Sequence, residues 1–435
     1  MGRYSKYQNT DNWFGTIPAT WETHRIKRLF ALRDKRNFLP LEQVNLISLY
    51  SNVGVRQHCD IEHTTGNRAR NADGYKVVHK DDIIVNILLC WMGAIGRSNY
   101  DGVTSPAYDV YMPRTNINSQ YYHYLFRTKA FSGECYKVGK GIMAMRWRTY
   151  SPQFMNINVP EPPRAEQDQI VRFLDWKVSE INKKRLLKKK SLELMRELIS
   201  STFEKLIHES HENVRLKRIV SLDNAFIDIV EDNYYQKAGM YNRARGIFLR
   251  NPIKGSDMGD SMFQRIYRNR LMISGQFAWE DAVYVTDKKD EDGLASHRYY
   301  LLKSQNIDAP VEYLFGYFIS QKGLSDLQLC SHGSAGRNRP LNINELLRIE
   351  IPIVHNTVTI EKFCRLVQAY MKMRPIVLRE AALLDELQNQ LISDVVTGKI
   401  DVRNIPVPAY EHVDDLTADD GEGNDGETGI PGEED

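Results

Sequence analysis

The residues closest in type to a metal site are His58, Cys59 and His63, in the stretch HCDIEH. Imidazole and thiolate groups bind zinc, but such a site needs a fourth donor or an open position with the correct geometry. Nothing in the spacing supplies one. We therefore expect a polar loop at this position and no metal in the chain.

Sequence motifs of catalysis are absent from this chain. There is no glycine-rich P-loop ending in Gly-Lys-Ser/Thr. There is also no Asn-Pro-Pro-aromatic tetrapeptide of the kind that amino-methyltransferases carry, and NPIK at 251–254 does not replace it. Acidic–lysine pairs such as Asp287 and Lys289 are too common to indicate a nuclease. The sequence thus predicts no catalytic residue, no cofactor bound by the chain itself, and a chain that is not an enzyme.

The charge of the chain is divided unevenly. Residues 411–435 hold 11 acidic residues and no Lys or Arg. Without them, 58 basic residues face 45 acidic ones, a net charge of +13 over residues 1–410. Such an excess suits a polyanionic partner, although basic residues that only maintain solubility are the alternative. We expect the acidic tail to be disordered; it could be a solvating tail, an interaction tail or a remnant of expression.

Three features favour a cytoplasmic location. The opening MGRYSKYQNTDNW has no apolar core segment of a secretory signal. The longest apolar run, residues 83–96, is too short to span a membrane and is interrupted by Asn86, so it predicts buried strands around a turn. Five scattered cysteines fit free thiols in a reducing compartment.

The chain contains an internal repeat, because similar stretches occur twice along it. LISSTFEKLI at 198–207 and LISDVVTGKI at 391–400 are offset by 193 residues. Four further matches lie at offsets of 190–192: RIKRL at 25–29 with RLKRI at 215–219, Asp101-Gly102 with Asp292-Gly293, Val159-Pro160 with Ile351-Pro352, and Gly54-Val55 with Gly246-Ile247. This order predicts a tandem duplication. Each half begins with a mixed region of short strand-like runs and ends with a helical region.

The second helical region has an apolar seam with alternating steps of three and four residues. The seam consists of Ile360, Phe363, Val367, Tyr370, Arg374, Val377, Ala381, Leu384, Gln388, Leu391 and Val395. Gly398 is the predicted C-cap. Pro375 lies inside the pattern and predicts a kink or a restart, because proline in a helix interior costs about 3 kcal/mol.

The first helical region follows VPEPPRAEQ and predicts a helix from about residue 165 to 207, roughly 65 Å long. Its apolar seam has two parts, one before and one after the basic stretch NKKRLLKKKS. The first part is Ile170, Leu174, Val178 and Ile181, and the second is Leu192, Met195, Ile199, Phe203 and Leu206. A seam of that length is too long for a small domain to cover, so we predict that the two helices pair as a coiled coil. Local packing of each helix on its own globular region is the alternative.

This organisation resembles the specificity subunits of type I restriction–modification systems over residues 12–403. The stretches that carry the resemblance are IPATWETHRIKRLF (17–30), DGVTSPAYDVY (101–111), VPEPPRAEQDQIVRFLD (159–175), DGLASHRYYLL (292–302) and LISDVVTGKIDVR (391–403). The second junction, IPIVHNTVTI, departs from the pattern, because it lacks the double proline and the Glu-Gln pair.

The resemblance implies an α+β fold. Two mixed target recognition domains form a tandem pseudo-repeat, separated by two long helices that pair as an antiparallel coiled coil. The implied segments are a first recognition domain (1–158), a first helical spacer (159–210), a second recognition domain (211–354), a second spacer (355–403) and the acidic tail (404–435).

The resemblance also implies a function. Each recognition domain reads one half of a bipartite site in double-stranded DNA, and the helices set the spacing. Two methyltransferase (M) subunits using S-adenosylmethionine, and restriction (R) subunits using ATP and Mg²⁺, carry out the chemistry.

Arginines in polar, glycine-bearing or aromatic stretches are the candidate DNA-binding residues, because Arg contacts both phosphates and base edges. In the first half they are Arg56, Arg68, Arg70, Arg97, Arg146 and Arg148. In the second half they are Arg243, Arg245, Arg250, Lys254, Arg337 and Arg339. A solvated surface position is the alternative for each of them. For the whole chain, the alternatives are a restriction enzyme acting alone and a coiled-coil scaffold that binds proteins.

Overall fold

The computed structural model describes residues 2–50, 54–58, 71–141, 147–209, 212–223, 225–333 and 339–414. The chain divides into two compact units. The first comprises residues up to 186 together with those that follow 380, and the second comprises residues 187–380. Both long helices contribute to both units. The described cysteines Cys90, Cys135, Cys330 and Cys364 are free. No helix in the described ranges is long and apolar enough to cross a membrane.

The first unit consists of short strands followed by helices. The strands are β1 (Tyr7–Gln8), β2 (Ile17–Pro18), β3 (Glu22–Arg25), β4 (Phe30–Leu32), β5 (Ile47–Tyr50), β6 (Gly54–Gln57), β7 (Lys76–Val78), β8 (Ile83–Asn86), β9 (Ile95–Arg97), β10 (Gly102–Thr104), β11 (Tyr108–Pro113) and β12 (Asn158–Glu161). The helices are α1 (Ile26–Leu29), α2 (Ser119–Phe126), α3 (Lys129–Val138), α4 (Ser151–Phe154) and α5 (Arg164–Glu209).

The second unit repeats this succession of elements. Its strands are β13 (Glu212–Arg215), β14 (Val220–Leu222), β15 (Phe226–Ile227), β16 (Tyr234–Tyr241), β17 (Gly246–Leu249), β18 (Ile253–Lys254), β19 (Phe263–Arg265), β20 (Leu271–Ser274), β21 (Val283–Val285), β22 (Gly293–Ser296), β23 (Tyr299–Ser304) and β24 (Glu350–Ile353). Its helices are α6 (Val311–Phe318), α7 (Gln321–Leu329), α8 (Ile343–Leu346) and α9 (Thr357–Val396).

The same antiparallel sheet occurs at the centre of each unit. Its strand order is β4-β11-β8-β9 in the first unit and β14-β23-β20-β21 in the second. All four residues of β8 are buried, and a left-handed Gly93 (φ +83°) ends the turn that leads into β9. The apolar run 83–96 therefore forms buried strands around a turn, as predicted. The repeated strand order confirms the predicted duplication.

Packing contacts are also repeated between the units. The Tyr122 hydroxyl donates to the Pro160 carbonyl over 3.4 Å, and the Tyr313 hydroxyl donates to the Pro352 carbonyl over 2.6 Å. Both tyrosines are buried on the helix that follows the central sheet, and both acceptors lie on the last strand before a long helix. These contacts hold the junction between the mixed region of each unit and its long helix in the same way twice.

One ion pair is repeated with its charges reversed. Arg33 follows β4 and donates to Asp82, which precedes β8; Nε and Oδ2 are 2.7 Å apart. In the second unit Asp223 follows β14 and accepts from Arg270, which precedes β20; Nε and Oδ2 are 2.6 Å apart. The two units therefore carry opposite charges at corresponding positions, in reversed order.

The two units differ outside the central sheet. The second unit has a larger sheet in the order β15-β19-β22-β16-β17, with β18 added to β16 and a parallel pair between β16 and β22. The described part of the first unit has the separate pairs β5-β6 and β7-β10 instead. The duplicated framework thus carries a different surface in each unit.

The helices α5 and α9 have 46 and 40 residues. In the first unit Arg185 Nε lies 3.1 Å from Asp385 Oδ1, and in the second unit Lys188 pairs with Glu380. Partners that come later in α5 come earlier in α9, so the helices pair antiparallel, as predicted. Every predicted seam residue of both helices is buried or half-buried.

The end of α9 has the predicted cap. The Gly398 amide donates to the Val395 carbonyl over 3.1 Å, and the Lys399 amide donates to the Asp394 carbonyl over 2.8 Å. Gly398 has a φ of +73°, so the termination is a Schellman motif. Pro375 does not restart the helix, which continues through it. The buried seam residues Tyr370 and Val377 hold the chain on both sides of the proline.

Candidate nucleic-acid interface

Arg56 lies on a hairpin formed by β5 and β6, opposite Ser48. Its side chain is 24% exposed, and Nη1 lies 3.5 Å from Asp414 Oδ2. Gly54 starts the strand with a φ of +86°, a backbone conformation that favours glycine. The hairpin therefore presents one partly accessible arginine on a short, glycine-started strand.

Arg97 ends β9 and is held by several neighbours. Its Nε donates to Asp81 Oδ1 over 2.7 Å, and Nη1 donates to Gln120 Oε1 over 3.3 Å. Its backbone amide donates to His123 Nδ1 over 3.1 Å. Arg97 thus organises the surface around β9, and a nucleic-acid contact would share its guanidinium with these groups.

His123 is half-buried beneath this network. Burial, together with the nearby charges of Arg127 and Arg97, lowers the pKa of His123 well below 6.5. Because Nδ1 accepts from the Arg97 amide, the ring is neutral and carries its proton on Nε2.

We expect this histidine to make the protein acid-sensitive. Below about pH 6.5 the unfolded chain binds a proton at His123 that the folded chain does not, so stability is lost as the pH falls. The loss is at most about 1.4 kcal/mol per pH unit. Urea titrations from pH 7.5 to 5 should show a steeper decline for the wild type than for His123→Gln. Equal slopes would contradict this role.

The exposed Arg148 lies beside a stacked pair of aromatic residues. It forms an isolated antiparallel bridge with Lys140, with both backbone hydrogen bonds at 2.9 Å. Trp147 stacks on Tyr136 with ring centroids 5.0 Å apart, and its Nε1 donates to the Tyr136 carbonyl over 3.0 Å. The stacked rings therefore lie next to two basic residues, Lys140 and Arg148. Four other candidates, Arg68, Arg70, Arg146 and Arg337, lie outside the described residues.

The turn between β16 and β17 carries Arg243 and Arg245. Arg243 and Ala244 have positive φ values of 57° and 49°, and Gly246 follows at 98°. The turn is anchored by the Arg243 amide, which donates to the Glu280 carbonyl over 2.8 Å. Arg243 is exposed, and the Arg245 guanidinium lies 5.4 Å from the centre of the Tyr241 ring. A tight turn therefore carries the exposed Arg243 and a half-buried Arg245 that lies beside an aromatic ring.

The remaining candidates of the second unit are dispersed. Arg250 follows β17, is half-buried and accepts a hydrogen bond from Gln236 at its carbonyl. Lys254 Nζ lies 3.0 Å from Asp232 Oδ1. The exposed Arg339 lies with its guanidinium 5.2 Å from the centre of the Trp279 ring.

Two helix arginines approach the same turn and were not among the predicted site residues. Arg196 on α5 pairs with the buried Asp281, and its Nη1 donates to the Arg243 carbonyl over 3.3 Å. Arg374 on α9 is only 8% exposed, and a Cβ placed on Gly246 would meet its Nη1 at 2.3 Å. Burial lowers the pKa of Arg374. Its place in the seam predicted burial, but only the structure brings it to the turn.

One group of described residues has donors close enough to suggest a metal: Glu22, His24 and Glu161, on the paired strands β3 and β12. His24 Nε2 lies 2.8 Å from Glu22 Oε2 and 3.2 Å from Glu161 Oε2. The ring already serves the carboxylates as a hydrogen-bonding partner, so we assign no metal to this group. Of the stretch HCDIEH, for which we expect a polar loop, only His58 belongs to the described part of the chain.

The duplicated sheet and the paired helices define a fold that has been seen before. A chain from a structural study of the assembly and conformational transition of the type I restriction–modification system superposes with a TM-score of 0.54. The match covers 88% of this chain and 99% of that chain, at 13% sequence identity. At this identity the match establishes a shared fold.

Two further solved structures align over similar lengths with lower scores. The HsdS subunit from Thermoanaerobacter tengcongensis has 13% identity and a TM-score of 0.41, and the alignment covers 88% of this chain and 98% of that one. The type I restriction–modification S subunit from M. genitalium has 11% identity and a TM-score of 0.45, with coverages of 94% and 100%. No family model and no curated protein matches the sequence.

Proposed function

We propose that this chain is the DNA sequence-specificity subunit of a type I restriction–modification complex. One observation carries the proposal: a single framework occurs twice in the chain, and each copy bears a different arginine-containing surface. Two related but non-identical readers suit a bipartite site whose two halves differ in sequence. The fold shared with a chain of a type I system supports the same conclusion.

Each recognition domain reads one half-site. Contacts to phosphates supply affinity, and contacts to base edges supply specificity. The accessible arginines on turns and beside aromatic rings, Arg148, Arg243 and Arg339, are suited to both kinds of contact. Arg56 in the first unit, and Arg245, Arg250 and Lys254 near Arg243 in the second, are the further candidates, and Arg97 contributes through the network that holds it.

The paired helices set the distance between the half-sites, and the chain itself performs no chemistry. Two methyltransferase subunits that use S-adenosylmethionine, and restriction subunits that use ATP and Mg²⁺, methylate and cleave. Exposed apolar residues on α5 and α9 are suited to docking of the methyltransferase subunits.

Exchange of one recognition domain tests the proposal. Replacing residues 30–150 with the corresponding segment of another specificity subunit should change one half-site of the methylated sequence and leave the other unchanged. Methylome mapping of DNA modified by the assembled complex reads both half-sites and their spacing. A reciprocal exchange in the second unit is the matched control. A simultaneous change of both half-sites would contradict independent reading.

The alternatives make different predictions. Cut or methylated DNA produced by the purified chain alone, with Mg²⁺ and S-adenosylmethionine, would favour an enzyme. Absence of sequence preference in the presence of the methyltransferase subunit would favour a protein-binding scaffold.

A further inference from the structure

The segment that follows α9 lies along the surface of the first unit. Gln169 Nε2 donates to the carbonyls of Val402 and Ile405 over 3.1 and 2.8 Å. Further along α5, Asn182 Nδ2 donates to the Val413 carbonyl over 3.0 Å. Because later residues of the segment meet later residues of α5, the segment runs parallel to the helix. Its path is therefore defined as far as Asp414.

The end of this path brings carboxylates to basic side chains. Glu411 Oε2 lies 3.2 Å from Lys183 Nζ, and Asp414 Oδ2 lies 3.5 Å from Arg56 Nη1. His412 between them contacts Ser179, with Nδ1 and Oγ 3.4 Å apart. Arg56 is the residue that the β5–β6 hairpin presents, so an acidic segment of the chain occupies a candidate DNA contact.

The negative charge of the residues that follow adds to the attraction between this segment and the basic side chains. The 21 residues after Asp414 contain nine further acidic residues and no Lys or Arg. Each exposed ion pair contributes only about 0–1 kcal/mol. However, a tethered segment acts at an effective concentration on the order of millimolar, and many carboxylates together compete with phosphates for the same cations.

We propose that the acidic C-terminal segment, residues 411–435, competes with DNA for the basic surface of the first unit. On that surface Glu411 pairs with Lys183, and Asp414 pairs with Arg56. The proposal rests on the proposed DNA-reading function. The segment weakens binding to every duplex, and it weakens non-specific binding most, because that binding depends almost entirely on charge. The segment thereby raises selectivity for the true site.

Two variants of the full complex test the competition. One ends after Tyr410, which keeps Ile405 and Val407 against the core. The other keeps the length of the chain but replaces the 11 acidic residues of 411–435 by Asn and Gln. Both should bind a specific duplex about threefold to tenfold more tightly at 100 mM salt, and a non-specific duplex by a larger factor. The gain should shrink as salt rises. Fluorescence anisotropy titrations from 50 to 300 mM NaCl measure both affinities.

Comparing two arginine variants tests whether the segment acts through Arg56. In an Arg56→Ala background, removal of the segment should produce a smaller gain than in the wild type. In an Arg148→Ala background the full gain should remain, because Arg148 makes no ion pair with the segment in the described part of the chain. Unchanged or weaker DNA binding by both tail variants would overturn the inference. If no form of the complex prefers any duplex over non-specific DNA, the proposed function itself fails.

Discussion

Replacing Arg33 by Asp is expected to lower the free energy of unfolding of the first unit by about 3–5 kcal/mol. The carboxylate of Asp82 is 1% exposed and receives Nε and Nη2 of Arg33 at 2.7 and 3.1 Å. Burial raises the pKa of Asp82 even though the hydrogen bonds from Arg33 act in the opposite direction. Without Arg33 the charged form loses its main partner, and a second carboxylate would be placed beside it.

The second unit indicates which second substitution should restore the stability lost in Arg33→Asp. It carries Asp223 where the first unit carries Arg33, and Arg270 where the first carries Asp82. The double variant Arg33→Asp/Asp82→Arg should therefore recover most of the lost stability. Urea unfolding, followed by circular dichroism, measures the stability of the wild type, of each single variant and of the double variant. The reciprocal exchange of Asp223 and Arg270 is the matched control. A double variant no more stable than Arg33→Asp would show that the two positions are not structurally equivalent.

Replacing Leu194 and Leu198 by Glu is expected to weaken binding of the proposed methyltransferase partner about 100-fold or more. These leucines are 53% and 47% exposed and lie with Leu187 on one face of α5. Ile376, Leu383 and Leu387 on α9 are 59%, 50% and 55% exposed and have the same spacing of seven and four residues. Because each leucine is already about half-buried, covering the rest contributes about 0.8–1.5 kcal/mol. The cost of burying a Glu charge in the apolar interface adds to this loss, so the two changes together reach about the 2.8 kcal/mol that corresponds to 100-fold.

The seam side chains do not take part in this change, so the helices should remain paired. Binding of the purified methyltransferase subunit to wild type and variant, measured by isothermal titration calorimetry, determines the loss. Leu329→Glu on α7 is the control, because Leu329 is 70% exposed and lies outside the long helices. An affinity reduced equally by the control, or unchanged in the double variant, would place the docking surface elsewhere.

The features that the sequence predicted are those encoded by local spacing. The seam of α9, the cap at Gly398 and the buried strands of 83–96 follow from periodicity, glycine geometry and apolar runs. The duplication followed from matches at a common offset. The site was predicted only as a set of arginines, because no local pattern separates an arginine that faces a ligand from one that faces an acidic neighbour.

By itself, the amino-acid sequence determined two copies of one framework, each ending in a long helix with a continuous apolar face. The tertiary structure decided which charges meet. Arg374 reaches the turn at Gly246, Arg33 meets Asp82, and Asp414 meets Arg56 from 358 positions away. Periodicity acts over a few residues and survives in the sequence, whereas ion pairs depend on how distant segments pack. The reversal of charge between Arg33–Asp82 and Asp223–Arg270 shows that one packing accepts either order.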